Sequence, residues 1–385
     1  MILGLFFTRN VSLKLWVDSG LFEREKLIYE KYLNGDNFKK VYWFTYGSSD
    51  KVLAEELKRV GRLHSNIEVF SMPKFCDIPK LGNIMYTFIL PFFYADRLKE
   101  CNILKTNQMD GSWSAVFAKW MYKKLLVVRT GYTLTQLWKN TNRSKIKIRI
   151  YEWIEFFVYK NANAAIVTSY HNKAYIEQQY RIKNIFVISN FIDIERFKNM
   201  GLCRDEKRLL FVGRLNVEKN IKSLISAVAI IGMKLDIYGK DEMSGALQEY
   251  AANLDVDISF KGTVSNSALP MIYNSYKYYV LPSLFEGMPK TLLEAMGCGC
   301  ICIGTNVTGI NEVIIDSFNG FLTQNIDSDS IIKCIQRSVS YQELDSVQKN
   351  AEDTIAEKFS LQAIFEEEMK IFTTLMKFED NNHCI

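Results

Sequence analysis

The chain of 385 residues lacks several features that mark particular classes of protein. Its six prolines, with no tract of serine and glycine, leave little room for a flexible linker. None of its eight cysteines forms a Cys-x-x-Cys pair, which argues against a zinc knuckle. The longest apolar stretch, 84–95, contains Pro91 and is well short of the ~20 residues needed to cross a bilayer. These absences favour a packed globular protein without structural zinc or a membrane-spanning helix.

What the sequence contains points to two domains. Hydrophobic residues make up 48% of the chain and charged residues 24%, which is the balance of a packed protein. At about 100–200 residues per domain, the length suggests two domains. The net charge of +5 is modest and by itself argues against a dedicated nucleic-acid-binding protein. Because no signal-peptide pattern is present, we expect reduced cysteines and a cytoplasmic location.

Strand-like apolar runs alternate with helical stretches through most of the chain. The clearest strand-like runs are 41–46, 125–129, 165–168, 209–212, 234–238 and 278–281. The clearest helical stretches are 112–122, 148–160 and 220–231. Such alternation predicts parallel sheets covered by helices on both faces. We therefore expect an α/β protein with two Rossmann-like domains facing each other across a cleft.

A polar, non-periodic stretch near 195–207 divides the chain into two comparable halves. We place the first domain at 1–190 and the second at 191–360. We expect the helical segment 361–385 to pack back on the first domain. In parallel sheets ligands bind beyond the carboxyl ends of the strands, so candidate chemistry is sought where strands lead into loops.

The loop after the strand-like run 209–212 contains Gly213, Arg214 and Lys219, and a helix follows. Gly213 allows a sharp turn at the sheet edge. The two cations would lie near a helix N-terminus, where they suit an anion with spread-out charge such as a diphosphate. Taken alone, the segment fits an ordinary solvated loop equally well.

The loop after the strand-like run 278–281 carries a sharper pattern, Pro282-Ser-Leu-Phe-Glu286-Gly287-Met288-Pro289-Lys290-Thr291-Leu-Leu-Glu294. Pro289 is suited to the first turn of a helix, and the amides of Lys290 and Thr291 could then hold a phosphate. Glu286 and Glu294 can face one pocket, where carboxylates accept hydrogen bonds from sugar hydroxyls. The alternative is a capped helix with surface acids.

Six motifs occur in order and together resemble one family. They are Val212-Gly-Arg-Leu…Glu-Lys-Asn, Ile237-Tyr-Gly-Lys, Phe260-Lys-Gly-Thr-Val, Pro282-Ser…Glu286-Gly-Met-Pro…Glu294-Ala-Met, Gly309-Ile-Asn-Glu312 and Asn319-Gly-Phe-Leu. This series resembles the carboxyl-terminal domain of the retaining glycosyltransferases of family 4 (glycosyl transferases group 1), which have the GT-B fold. The segment from Val187 to Phe197 resembles the family's lead into that domain. The resemblance is close over about 160–335 and covers the rest in outline.

The resemblance implies a role for each matching residue. Arg214 and Lys219 would neutralise the donor diphosphate as it leaves, so that no metal is required. Glu286 would hold hydroxyls of the transferred sugar, and Glu294 would bind the nucleotide ribose. Backbone groups around Thr263 and Val264 would read the base edge, and the amides of Lys290 and Thr291 would meet the phosphate or sugar. Gly213, Gly287 and Met288 are the other donor-binding positions implied. Asp327-Ser-Asp329 matches the Asp-x-Asp of metal-dependent transferases, but we interpret Asp327 as a helix N-cap. We predict no metal and no cofactor other than the nucleotide-diphosphate sugar as co-substrate.

The amino-terminal half departs from the family pattern. A Gly-Gly loop is frequent after the first strand of the family, but here the sequence is Phe7-Thr-Arg-Asn10, and Gly20 is our candidate for that role. The family's frequent acceptor-side histidine is absent. Asp110 and Arg129, near the ends of the predicted strands 103–105 and 125–129, are the remaining acceptor-side candidates. Asp110 before a helix is also a common N-cap, and we assign no enzyme base.

Residues 111–151 contain nine Lys and Arg but no Asp or Glu, and 111–153 holds four of the six tryptophans. The rest of the chain has 39 basic and 43 acidic residues, so the modest total conceals a basic segment. A basic, Trp-rich surface is typical of proteins that bind anionic lipid. Such a surface would equally suit an acceptor that carries a lipid diphosphate. The remaining alternative is that the tryptophans belong to the core and the basic residues to a solvated face. Nucleic acid is disfavoured because no binding fold accompanies the run.

The sequence therefore predicts a retaining, metal-independent glycosyltransferase. Its partners would be a nucleotide sugar, a glycan or lipid-linked acceptor in cell-surface polysaccharide synthesis, and an anionic membrane surface contacted through 111–153. This implies a cytoplasmic enzyme on the inner membrane face. The alternatives are a transferase that makes a soluble glycoside and a degenerate protein that binds nucleotide or glycan without turnover. A phosphorylase would need a lysine that anchors pyridoxal phosphate. An NAD-dependent oxidoreductase would need a G-x-G-x-x-G after the first strand, which is absent.

Overall fold

The computed structural model describes every residue except 36, 132, 134, 136, 137, 140–143, 244, 255 and 383–385. It divides the chain into two compact units. The first unit comprises Met1–Ile188 together with Phe365–Ile385, and the second comprises Ser189–Ile364. The sequence-based bounds after 190 and after 360 lie within a few residues of these divisions.

The first unit is built on a seven-stranded parallel sheet with the strand order β3-β2-β1-β4-β5-β6-β7. Its strands are β1 (Ile2–Phe6), β2 (Lys40–Phe44), β3 (Ile67–Phe70), β4 (Ile103–Thr106), β5 (Leu125–Thr130), β6 (Ala164–Val167) and β7 (Ile185–Val187). Its helices are α1 (Leu13–Asp18), α2 (Phe22–Glu25), α3 (Leu27–Asn34), α4 (Asp50–Arg59), α5 (Gly82–Phe93), α6 (Ala95–Glu100), α7 (Trp113–Tyr122), α8 (Lys145–Asn161) and α9 (Tyr170–Tyr180). The order reverses between β1 and β4, as in Rossmann folds.

The second unit repeats this plan with a six-stranded parallel sheet of order β10-β9-β8-β11-β12-β13. Its strands are β8 (Asp205–Val212), β9 (Lys234–Tyr238), β10 (Ile258–Gly262), β11 (Tyr276–Leu281), β12 (Ile301–Gly304) and β13 (Phe321–Leu322). Its helices are α10 (Ile221–Ile231), α11 (Ala246–Ala252), α12 (Leu269–Asn274), α13 (Lys290–Gly297), α14 (Ser328–Val339) and α15 (Leu344–Lys358), and α16 (Leu361–Asn382) follows. Both sheets are of the Rossmann type that the alternation of strands and helices predicts.

The cores explain why these runs form strands. Leu209, Leu210 and Phe211 of β8 are fully buried, as are all four residues of β12 to within about 1%. Strands buried on both faces read as continuous apolar runs, because neither side of the pleat meets water. The cysteines at 298, 300 and 302 belong to this core, in and just before β12.

The apolar stretch 84–95 was identified from the sequence, but it was not predicted to form helix α5. It continues through Pro91 and ends two residues later at Phe93. Pro91 offers no N–H to the carbonyl of Thr87, which fits a helix that ends two residues later.

The terminal helix α16 places a carboxylate in the interior of the first unit. The side chains of Glu368 and Lys105 are each 1% exposed, and Lys105 Nζ lies 2.6 Å from Glu368 Oε2. Arg129 Nη1 donates to Glu368 Oε1 at 2.7 Å, and the Tyr32 hydroxyl also donates to Glu368. Burial raises the pKa of Glu368 to about 8 and lowers the pKa of Lys105. Arg129, expected on the acceptor side, instead directs its guanidinium to α16.

We predict that Glu368→Ala destabilises the first unit by about 3–5 kcal/mol, because it leaves Lys105 buried without its carboxylate. The double variant Lys105→Met/Glu368→Leu should recover part of that loss, since it removes the buried lysine and carboxylate together but takes this acceptor away from Arg129. Unfolding in urea followed by tryptophan fluorescence measures the effect selectively, because all six tryptophans lie between residues 16 and 153.

Glu367→Ala is the matched control, since Glu367 is an exposed neighbour on the same helix. We expect it to unfold within about 0.5 kcal/mol of the wild type. A Glu368→Ala protein that unfolds together with this control would contradict the assigned role of the buried carboxylate.

Candidate active site

The residues predicted to bind a donor follow the carboxyl ends of neighbouring strands in the second unit. The order β10-β9-β8-β11 places these ends side by side. Gly213 N donates to Tyr238 O at 2.9 Å, and Gly239 N donates to Gly262 O at 2.8 Å, so the loops after β8, β9 and β10 are joined by backbone hydrogen bonds. A Cβ on Gly239 would lie only 1.7 Å from Gly213 O. Only glycine permits this close approach.

Lys219 and Glu286 form an ion pair between the loops after β8 and β11. Lys219 Nζ lies 2.5 Å from Glu286 Oε1, and the two side chains are 14% and 10% exposed. A short 3₁₀ turn, Val217–Lys219, positions the lysine just before α10. Ser283 Oγ donates to the same carboxylate oxygen at 2.6 Å. Three side chains are thereby held in one arrangement at the sheet edge.

Arg214 lies beside this pair in sequence but is held much more loosely. Its side chain is 65% exposed, and Nη1 is 4.0 Å from Glu242 Oε1. Such a long contact in solvent contributes little energy, so the guanidinium is able to swing toward an anion. The predicted cations therefore differ, because Lys219 is held by Glu286 and Arg214 is largely exposed to solvent.

The loop between β11 and α13 is fixed by backbone contacts on both sides. Leu284 N donates to Glu218 O at 2.8 Å, and Glu286 N donates to Thr308 O at 3.2 Å. Gly309, with φ of +82°, approaches so closely that a Cβ would lie 2.6 Å from Gly287 O. These contacts fix the loop backbone, and with it the position of Glu286 beyond the end of β11.

Helix α13 begins directly after this loop. Its N-cap is Pro289, and no side chain caps the first turn. Asn190 Nδ2 donates to Met288 O at 3.2 Å, and Met288 itself is buried. An N-terminus without a side-chain cap is suited to an anion, because backbone amides and the helix dipole both favour negative charge. Lys290 and Thr291 form its first turn, as predicted from Pro289.

Two buried tyrosines position the polar side chains of α13. The Tyr273 hydroxyl donates to Glu294 Oε2 at 3.1 Å, and the Tyr279 hydroxyl donates to Thr291 Oγ1 at 2.9 Å. Burial raises the pKa of both phenols well above the usual value. Both hydroxyls therefore remain protonated donors that orient Glu294 and Thr291. Glu294 is only 4% exposed, so its orientation is well defined.

Thr263 and Val264 follow β10 at the far side of the same edge. Thr263 is exposed and Val264 is half-buried. They thus lie at the carboxyl edge with the loops after β8 and β11. No sequence signal assigned a role to Ser283, Gly309, Tyr273 or Tyr279, although Ser283 and Gly309 fall inside the quoted motifs.

The Asp-x-Asp pattern is a helix cap in the structure. Asp327 is the N-cap of α14, and its Oδ1 accepts a hydrogen bond from Ser330 N at 2.8 Å. This backbone hydrogen bond lowers the pKa of Asp327. The N-cap interpretation of the pattern is confirmed. Among the described residues, no cluster of three or more His, Cys, Asp or Glu side chains is arranged to hold a metal ion.

In the first unit, Gly20 is not in the loop that follows the first strand. Helix α1 lies between that loop and Gly20, which occupies the turn before α2 with φ of +71°. The interpretation of Gly20 as the loop glycine was wrong. The sequence concealed this because α1 is only six residues long and begins at Leu13, within a segment without clear periodicity.

Asp110 lies at the carboxyl edge of the first sheet, where the order reverses between β1 and β4. Arg9 donates from Nε and Nη2 to its carboxylate at 3.1 Å. Arg9 Nη2 also contacts the Tyr151 hydroxyl at 3.3 Å, and the two ion-pair side chains are 19% and 18% exposed. Asp110 is not the N-cap of α7, because Ser112 occupies that position, without a side-chain hydrogen bond to the first turn. Sequence analysis missed Arg9 because its partner is 101 residues away.

The described part of the chain contains no helix that is both long and apolar enough to span a membrane.

Two family models match adjacent parts of the chain. The model described as Glycosyltransferase Family 4 matches residues 39–196, and the model described as Glycosyl transferases group 1 matches residues 193–354. The second match covers the donor-side residues described above, and together the two models span most of both units.

Two curated proteins illustrate the similarity. The chain is 29% identical over 247 residues to the UDP-Gal:alpha-D-GlcNAc-diphosphoundecaprenol alpha-1,3-galactosyltransferase of Escherichia coli. That match covers 58% of this chain and 63% of the relative, so the chain spans less than two thirds of that relative's length. An uncharacterized glycosyltransferase of Methanocaldococcus jannaschii is 26% identical over 337 residues, covering 81% of this chain and 86% of the relative.

A solved structure shares the architecture across almost the whole chain. Sucrose-phosphate synthase from Thermosynechococcus elongatus superposes with a TM-score of 0.75 at 18% identity, covering 98% of this chain and 99% of that one. This likeness confirms the predicted GT-B fold with its two Rossmann-like domains. With both family models matched in sequence, the chain belongs to the family 4 glycosyltransferases, the glycosyl transferases of group 1.

Proposed function

We propose that this protein is a retaining, metal-independent glycosyltransferase. It moves a sugar from a nucleotide-diphosphate donor to a glycan or lipid-linked glycan acceptor, in cell-surface polysaccharide synthesis on the cytoplasmic side of a membrane. The observation that carries the proposal is the Lys219–Glu286 ion pair, held by Ser283 at the strand ends beside the N-terminus of α13. A fixed cation, a carboxylate and a helix N-terminus together suit a sugar diphosphate.

The cations would act on the leaving group. As the bond from the sugar to the diphosphate breaks, negative charge builds on the phosphate oxygens. Lys219 is already fixed, so it stabilises that charge without reorganising during the reaction. Arg214 moves in from solvent, and the first-turn amides of α13, at Lys290 and Thr291, face the same charge. Because these groups can carry the whole charge, we propose that no metal is needed.

The carboxylates would bind hydroxyl groups. Glu286 would accept hydrogen bonds from the transferred sugar, next to Gly287 and Met288. Glu294, oriented by Tyr273, would accept hydrogen bonds from the ribose. Thr263 and Val264 would offer backbone groups to the base, and Gly213 would let the diphosphate approach the backbone after β8. These assignments follow the motif positions, and their grouping at one sheet edge supports them.

The named relative supports the donor class and the stereochemistry. The E. coli relative uses UDP-Gal and forms an alpha-1,3 linkage. UDP-galactose carries its sugar in the α configuration, so an α product corresponds to retention. The same name gives a diphosphoundecaprenol acceptor, which supports a lipid-linked acceptor here. We propose a UDP-sugar as the first donor to test, with GDP- and ADP-sugars as the alternatives.

On the acceptor side, we propose that Asp110 positions an acceptor hydroxyl. The Arg9–Asp110 pair lies at the switch point between β1 and β4, where open parallel sheets bind ligands. Arg9 and Tyr151 fix the carboxylate while leaving it partly exposed.

A protein that binds donor without turnover is the second candidate function, favoured only by the divergent acceptor half. The ion pair at Lys219 and Glu286 weighs against it, because a pair of charges with so little exposure has no evident structural purpose at a loop end.

We predict that Lys219→Ala lowers kcat for sugar transfer by about 10²–10³, since it removes one preorganised group that stabilises the leaving charge. Initial rates with a UDP-sugar panel measure the effect. Lys222→Ala is the control, because Lys222 lies one turn further on and stacks on Tyr250 at 4.6 Å. It should transfer sugar at the wild-type rate.

If the protein binds donor without turnover, the wild type should bind a nucleotide sugar but transfer none of it. A thermal-shift screen with UDP-, GDP- and ADP-sugars would detect binding by mass action. Stabilisation by a donor with neither transfer nor donor hydrolysis would establish that alternative and overturn the proposed transfer.

We predict that the wild-type reaction proceeds at full rate in excess EDTA and gives an α-linked product. Full activity is expected because the cations of the protein carry the leaving charge. The anomeric coupling constant of the product, measured by NMR in the same EDTA-treated reaction, reports the configuration. Loss of activity in EDTA that returns with Mg²⁺ or Mn²⁺ would contradict metal independence, and a β product would contradict retention.

We predict that Asp110→Asn raises the KM for the acceptor about tenfold and leaves the KM for the donor unchanged. The amide retains the size of the side chain but is a weaker acceptor for a hydroxyl. Asp96→Asn is the control, because Asp96 is 93% exposed on α6. An equal change in both KM values, or none, would remove Asp110 from the acceptor side.

A further inference from the structure

Three neighbouring helices of the first unit expose large apolar side chains on one continuous surface. Helix α7 packs between α5 and α8. We call this surface the aromatic face and define it by Ile84, Phe88 and Phe92 of α5, Phe117, Trp120 and Met121 of α7, and Ile146, Ile150, Trp153 and Phe157 of α8.

Helix α8 contributes a regular stripe to the aromatic face. Ile146, Ile150, Trp153 and Phe157 are spaced by four, three and four residues, so they share one side of the helix. Trp153 is 65% exposed and Ile146 is 74% exposed. The opposite side, with Glu155, Val158 and Tyr159, is buried in the first unit. The helix therefore has a second apolar side that the fold does not use.

Helix α5 contributes a matching stripe. Ile84, Phe88 and Phe92 follow at intervals of four residues and are 40%, 50% and 67% exposed. Its other side packs into the unit, where the Trp113 indole donates to Thr87 Oγ1 at 3.0 Å. Part of the apolar stretch 84–95 therefore lies on the surface.

Ring contacts join the stripes across α7. Phe88 contacts Phe117 at 6.0 Å between ring centroids, and Phe117 contacts Phe157 at 6.2 Å. Trp120, which is 52% exposed, contacts Phe157 at 5.4 Å, and Phe157 stacks on Trp153. The aromatic face is therefore a contiguous patch, and such patches mark sites of interaction.

Basic side chains flank the stripe of α8. Lys147, Arg149 and Lys160 are exposed on either side of it. Neither α5 nor α7 contains an acidic residue. The two acids of α8 are engaged elsewhere, since Glu152 pairs with Lys139 at 2.6 Å and Glu155 is buried against Thr135 and Tyr180. These exposed positive charges along α8 form the positive rim of the aromatic face.

We propose that the aromatic face docks this protein onto an anionic lipid bilayer, with α5, α7 and α8 lying in the membrane interface. Tryptophan and phenylalanine on one side of a helix, flanked by lysine and arginine, are the chemistry of interfacial helices. The positive rim complements anionic headgroups, whereas a second copy of this chain would present the same positive rim and be repelled. Because the face does not include the donor site, docking stands independently of the proposed transfer.

Co-flotation of the full chain with vesicles tests this docking. At low salt we expect flotation with phosphatidylcholine vesicles that contain about one third phosphatidylglycerol, and much less flotation with phosphatidylcholine alone. Binding should weaken as salt increases. The variant F88A/W120A/W153A should lower the partition coefficient about 1,000-fold, since each of the three large apolar side chains contributes about tenfold.

Two further variants keep the test decisive. F318A/M271A/I230A removes exposed apolar side chains of the second unit and should float like the wild type. K147E/R149E/K160E keeps the aromatic side chains and should lose binding to the anionic vesicles while its thermal unfolding is unchanged.

Several results would overturn docking through the aromatic face. They are a wild type that does not float at low salt, an F88A/W120A/W153A protein that floats normally, and equal losses in both apolar variants. A wild-type dimer that becomes monomeric in F88A/W120A/W153A, without flotation of either protein, would assign the face to a second copy. Transfer to a soluble acceptor by F88A/W120A/W153A reports separately on the proposed function.

Discussion

The constraint on which the rest of the structure depends is that both sheets are parallel and are covered by helices on both faces. The carboxyl-terminal half of β8 and the whole of β12 are buried, so their side chains pack in the core. The polar groups of the candidate sites follow the ends of strands. Lys219, Glu286 and the N-terminus of α13 all lie at such ends, and so do Arg9 and Asp110. The fold thereby restricts where a sugar diphosphate or an acceptor can be bound.

Within that constraint, the two cations of the loop after β8 differ in how tightly they are held. Ser283 and Lys219 share one oxygen of Glu286, and backbone contacts at Gly309 and Thr308 hold the loop. Such an arrangement is already organised before a ligand arrives, which is what electrostatic stabilisation of a leaving group requires. Arg214, by contrast, remains in solvent. Under the proposed function, the fixed Lys219 would define the site and the exposed Arg214 would close on the anion.

The sequence was informative where function depends on local motifs and less so where it depends on strand order. The start of helix α13 at Pro289 was predicted, because Pro289, Glu286 and the apolar run lie within a few positions of each other. Arg9 was missed, and Arg129 was placed on the acceptor side, because their partners are Asp110 and Glu368. These contacts span 101 and 239 residues and arise only when β1, β4 and β5 become neighbours. Gly20 was misplaced for a local reason, since a six-residue helix leaves too short a pattern to detect.

Helix α8 connects the two properties of the first unit. Tyr151 lies on its inner side and contacts Arg9 and Asp110, while Ile150 and Trp153, one and two residues away, belong to the aromatic face. A helix held in the membrane interface through Trp153 would therefore hold Tyr151, and with it the Arg9–Asp110 pair, at a fixed depth near the lipid headgroups. A lipid-linked acceptor presents its diphosphate and first sugars at that same depth, because its chain is buried in the bilayer. Under these two proposals, helix α8 would join acceptor recognition to membrane docking.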